Sequence, residues 1–215
     1  MAKRRNDRVP AWPNRIGFLK SALRALPLWG ICASVGADQV VGTDPEAGLP
    51  FWAWEDGALE IRLVQRLPDQ TRAFFIGRGF SSAAADRVAR SCVFQAIMRN
   101  LAQGGQTPVL GIDLTDWRLD AGAGVRALVS KDVWDAEWVA AGESEAARIA
   151  FRWSLFPTTQ ELRGGDYNWG MISLGAPPGT RLDLILSWTI DAEPRGAVLR
   201  GLTCAPEEIL EPKQE

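Results

Sequence analysis

Arg181-Leu-Asp-Leu-Ile-Leu-Ser-Trp-Thr-Ile190 is the stretch that decides the fold. Leu182, Leu184, Leu186, Trp188 and Ile190 fall on one face, and Arg181, Asp183, Ile185, Ser187 and Thr189 on the other. A period of two sends successive side chains to opposite faces of a pleat, so the run reads as an antiparallel strand with one buried face. Working back from it, Gly175-Ala-Pro-Pro-Gly-Thr180 is a turn, and Gln160 to Leu174 gives two further β segments around the loop Arg163-Gly-Gly-Asp-Tyr-Asn-Trp-Gly170. Phe151-Arg-Trp-Ser-Leu-Phe156 is expected to be a strand before them, with Trp153, like Trp188, facing inward. Val198-Leu-Arg-Gly-Leu-Thr-Cys204 closes the domain as a last strand.

Upstream, Ala58 to Gln65 alternates with Leu59, Ile61 and Leu63 inward, and Leu110, Ile112 and Leu114 repeat that pattern. Val125 to Val129 gives a shorter segment. Residues 68–101 interrupt the β pattern. Pro68 opens a helix that Gly77 and Gly79 stop, and Ser81 or Ser82 caps a second one reaching about Leu101. Its residues Val88, Cys92, Val93, Phe94, Ile97, Met98 and Leu101 cover more than half a helical wheel, the mark of a well-buried helix. Residues 131–149 read as a short helix or an irregular crossover. The sum is a mainly β chain: an antiparallel β-sandwich, Ig-like or jelly-roll-like, with an inserted helical hairpin. The single domain runs over 51–206, preceded by a linker at 38–50 and followed by a charged tail at 207–215.

The 215 residues suit one domain with a proper core. Two features of composition bear on function. Ten Trp stand against one Tyr, and there is no His. Without imidazole there is no His-based acid or base, no Ser–His or Cys–His pair and no usual zinc or copper site. The chain is therefore expected to be non-enzymatic, with no catalytic residue, no bound metal and no cofactor.

Residues 1–37 carry seven Lys and Arg against Asp7, a net of +6, which leaves −8 for residues 38–215. An acidic remainder argues against nucleic acid as a partner. Behind the basic segment, Ala25 to Ala37 is a short apolar run ending in Val35-Gly36-Ala37, the pattern of a secretory signal cleaved after Ala37. Cys32 is a poor lipoprotein acceptor after Trp29-Gly30-Ile31, and Arg4-Arg5 lacks the apolar residues of a twin-arginine signal. The expected location is periplasmic or secreted. The alternative is a retained basic segment that holds the protein at a membrane surface through residues 1–37.

Cleavage would leave Cys92 and Cys204, and in an oxidising compartment these should form a disulfide across about 110 residues. The Arg163–Gly170 loop offers a ligand site, with Asp166 and Asn168 as oxygen donors and Tyr167 and Trp169 as stacking platforms. A tight turn built on Gly164 and Gly165 explains the same residues. Trp52, Trp54, Trp117 and Trp134 are the tryptophans expected at the surface, and several together would mark an interaction patch. Asp113, Asp116 and Asp120 read as a solvated strand edge rather than a cation site. Two functions follow. The first is an interaction domain for another envelope protein or for itself, as an accessory subunit of a larger assembly. The second is a carbohydrate or small-ligand module using Trp52, Trp54 and the loop.

Overall fold

Strand β10 (Arg181–Ile190) is buried at every second residue from Leu182 to Trp188, as the alternation requires. The computed structural model that places it describes residues 38–105 and 107–207. The described chain is mainly β, with two antiparallel sheets and four helices. The first sheet runs β1 (Asp38–Thr43), β2 (Pro50–Asp56), β3 (Leu59–Gln65), β4 (Val93–Asn100), β9 (Tyr167–Ser173) in that spatial order. In the second sheet β11 (Glu193–Thr203) pairs with β10 along its length. The other edge of β10 takes two short partners, β6 (Arg118–Asp120) and β5 (Leu110–Asp113), which are extended by β7 (Val125–Ala127) and β8 (Thr159–Leu162) respectively.

The two sheets share one core. Trp52, Trp54, Ile61, Phe94 and Met98 from the first meet Leu110, Leu119, Leu184, Trp188 and Leu199 from the second. Trp54 and Trp188 stand edge to face at 4.9 Å across it, an arrangement that the ring quadrupoles favour. Trp117 is fully buried and donates its indole N–H to the Ser187 carbonyl at 2.9 Å. The disulfide Cys92–Cys204 joins the lead-in of β4 to the end of β11, with both cysteines buried.

A second apolar cluster lies on the other face of the first sheet. Helices α1 (Pro68–Ile76) and α2 (Ser82–Ala89) form a hairpin between β3 and β4, and α3 (Lys131–Ala140) and α4 (Glu145–Ser154) complete the layer. Phe75, Phe80, Trp134, Trp138 and Phe151 fill it, with Trp134 stacked on Trp138 at 5.0 Å. Ser81, Ser130 and Ser144 each accept from the N–H three residues on, satisfying a donor that each helix start leaves without an internal partner.

Four expectations change. The helix expected to reach Leu101 stops at Ala89, and Val93–Asn100 is strand β4. That strand is covered on both faces at its start, Val93 by the helices and Phe94 by the core, so its apolar run has no clean alternation and mimics a buried helix. Phe151–Ser154 is the last turn of α4 rather than strand. With Phe151 inward, Trp153 falls on the opposite helix face and is 85% exposed. Trp52, Trp54, Trp117 and Trp134 are all buried: the alternation of β2 takes the first two inward, Trp117 packs in the core between the sheets, and Trp134 in the aromatic layer. The linker begins later than expected: Asp38–Thr43 pairs with β2 as an edge strand, and only the turn from Asp44 to Leu49 is irregular. The signal-like segment 1–37 and residues 208–215 of the tail lie outside the described residues.

Candidate functional site

The loop between β8 and β9 is closed by its own polar groups. Asp166 accepts from the Arg163 N–H through its carboxylate at 2.9 Å, and its N–H returns to the Arg163 carbonyl at the same distance. Gly165 takes φ +82, a region that a side chain disfavours, so the turn needs glycine there. Asn168 donates to the Gln160 side chain at 2.7 Å and accepts from the Trp169 N–H at 2.8 Å. The oxygens expected to hold a ligand are thus engaged in shaping the turn.

The two aromatic residues that follow on β9, Tyr167 and Trp169, point elsewhere. Residues directly opposed across strands share a face, so the register defines rows across the whole first sheet. One row is Val40, Ala53, Arg62, Ile97 and Trp169, and the next runs through Glu55, Glu60, Arg99 and Tyr167. Both rows lie on the face away from the sandwich core. Tyr167 and Trp169 are each 63% exposed, and Val40 is exposed at the far edge. The helical layer covers the same face only toward Val93 and Met171. What remains is a surface of aromatic, aliphatic and charged groups, exposed at Val40, Arg99, Tyr167 and Trp169 and half-buried at Ala53, Arg62 and Ile97.

Its cations are already fixed. Arg99 pairs with Glu60 at 3.2 Å, and Arg62 pairs with Asp44 at 2.8 Å while its guanidinium stands 3.8 Å from the Phe51 ring centroid. The Asp44 carboxyl lies below its ordinary range, held there first by the Ala47 N–H and then by Arg62. Ordered charges around exposed rings give the face a fixed shape at little further entropic cost. Trp52 and Trp54 are not part of it. They occupy β2 positions on the opposite face and pack in the core, so the six residues expected to form one site divide between two sides of the sheet.

The acids of the 113–120 segment serve local turns. Asp113 accepts from the Thr115 N–H at 2.8 Å and its hydroxyl at 2.6 Å, contacts that hold its carboxyl below the usual range. Asp120 accepts from the Gly122 N–H. Among the described residues no three His, Cys, Asp or Glu side chains are grouped to hold a metal ion. No helix among them is long and apolar enough to cross a membrane.

One feature had no signature in the sequence. An apolar pocket opens between the start of α3, the end of α4 and β9, with Lys131 lining it. Its walls come from four separated segments, and spacing along the chain cannot reveal that convergence. No family model, curated protein or solved structure matches this chain.

Proposed function

We propose that this protein is an exported, non-enzymatic interaction domain that docks another cell-envelope protein on the outer face of its first sheet. The observation that carries the reading is the exposure of Tyr167 and Trp169, side by side on β9, on a face that the helices leave bare. Large apolar groups in a contiguous exposed patch mark interaction surfaces, and Trp, Tyr and Arg are the residue types that concentrate binding energy at protein interfaces. Here Arg99 stands beside Tyr167 and Ile97 beside Trp169, and Arg62, Ala53 and Val40 continue that row toward the far edge. Export is supported by the Cys92–Cys204 disulfide, since such bonds persist in oxidising compartments. The missing imidazoles support a role without catalysis.

The test places a photoreactive benzoylphenylalanine at Ile97, and at Val125 on the second sheet as a control, in the producing cells. A cross-linked partner of different mass at position 97, lost when Trp169→Ser is added, is the expected result. No adduct at 97, or the same adduct at both positions, overturns the reading.

A second reading uses the same pair. Side chains two residues apart on a strand stand about 7 Å apart, which lets Tyr167 and Trp169 stack on successive sugar rings as a carbohydrate module. Retention on polysaccharide gels that Trp169→Ala abolishes would favour it.

A further inference from the structure

The pocket beside Lys131 has a volume of about 300 Å³, the lower end of the range for small-molecule sites. Leu128, Val129, Trp134, Leu155, Phe156 and Met171 supply apolar walls. Trp134, Leu155 and Met171 also belong to the aromatic cluster, so the pocket reaches into the helical layer rather than resting on its surface. Among the described residues Lys131 is the one charged side chain lining it.

Among the described residues no carboxylate stands within 4.0 Å of the Lys131 ammonium, since none of the ion pairs there includes it. The ammonium donates instead to the Arg152 and Leu155 carbonyls at 3.2 and 3.3 Å, at the end of α4. An ammonium has three N–H donors, so one is left over. Capping a helix end explains the first two bonds; it does not explain an apolar cavity beside an unpaired cation. Burial lowers the Lys131 ammonium below its ordinary pKa, a cost that an anion in the pocket would offset.

We propose that this pocket binds a small apolar molecule carrying a single carboxylate, of the medium-chain fatty-acid type. The tail occupies the space between Trp134, Phe156 and Met171, and the carboxylate accepts the free Lys131 N–H. A single cation selects a single negative charge, and the apolar part of the walls suits an aliphatic tail, with Thr115, Ser130, Thr158 and Ser173 completing the lining.

The test is isothermal titration of the full-length protein with decanoate and with decanol, both below micelle-forming concentrations. The protein is compared with Lys131→Met, which keeps an unbranched apolar side chain and removes the charge, and Lys131→Arg, which keeps the charge. Saturable binding of decanoate is expected, at least tenfold weaker in Lys131→Met and largely kept in Lys131→Arg, with decanol affinity unchanged by either. Thermal melts of the variants confirm that each is folded before titration. Absence of saturable decanoate binding by the native protein, or equal binding by folded Lys131→Met, overturns the proposal.

Discussion

The side-chain amide of Gln39 pairs with both backbone groups of Arg200. It donates to the Arg200 carbonyl at 2.8 Å and accepts from the Arg200 N–H at 2.7 Å. Gln39 lies on β1 at the edge of the first sheet, and Arg200 on β11 at the edge of the second. An amide side chain thus stands in for a peptide group and joins two sheet edges, each of which would otherwise leave backbone groups unpaired. Gln39→Ala removes both bonds from a partly exposed site and is expected to cost about 1–2 kcal/mol, at the usual net worth of roughly 1 kcal/mol each. Urea unfolding with an unchanged slope and a lowered midpoint would show it.

A covalent tie reinforces the same side of the sandwich. Cys92 and Cys204 are separated by 112 residues, and chain entropy credits a loop of that length with about 4–5 kcal/mol. Reduction, or replacing both cysteines by Ser, is expected to lower stability by most of that amount. Both sulfurs are bonded to each other and buried, so alkylation without reductant should find neither, and denaturant plus reductant should expose both. Alkylation of Cys92 and Cys204 in the unreduced denatured protein would refute the bond.

Within the helical layer, Asp135 of α3 accepts from Arg148 at 2.8 Å and from Arg152 at 2.6 Å, both on α4. The Arg148 hydrogen bond is the chief reason that the Asp135 carboxyl lies below its ordinary value, with Arg152 adding to it against some desolvation. A depressed folded pKa means that the unfolded chain binds the proton first. The stabilisation is therefore complete above the ordinary value of 3.8 and is lost as pH falls through the lower folded value. Asp135→Asn should be less stable than the native protein at pH 7, and the gap should narrow in acid as pH falls below 3.8. Denaturation midpoints measured at pH 7 and in acid decide it, and a gap independent of pH would rule the ion pair out as the cause.

The alternation from Arg181 to Ile190 was readable because β10 is buried on one face only, so its period of two survives in the residues themselves. The hairpin after β3 was readable from Pro68, the two glycines and the Ser81 cap. Strand β4 was not, since Val93 and Phe94 are both buried, one on each face, and the pattern loses its period. Helix α4 was hidden by Trp153, an exposed indole that reads as core. Tyr167 and Trp169 lie on β9, on the face opposite Trp52 and Trp54, and separating the two pairs needs the strand register, which depends on pairing partners. Lys131 was invisible as a site because the groups around it come from distant segments.

The close approach at Gly170 shows how tightly the path out of α4 is fixed. Phe156 donates its N–H to the Met171 carbonyl at 2.9 Å, which carries the chain from α4 directly over β9. A Cβ at position 170 would stand 2.6 Å from the Phe156 Cα and 2.9 Å from the Leu155 carbonyl carbon, with the Phe156 nitrogen closer still. These are backbone atoms, so no rotamer change relieves the clash. Either the α4 exit must lift or β9 must shift, and the same two segments line the Lys131 pocket. Gly170→Ala is therefore expected to destabilise the protein by about 1–3 kcal/mol through overpacking and to weaken any ligand held in that pocket. Gly105→Ala, where an added Cβ meets nothing within 4 Å, serves as the control and should change little. Equal urea midpoints for the two variants would mean that the chain crossing over Gly170 yields freely, and that the exit from α4 is not held where β9 now places it.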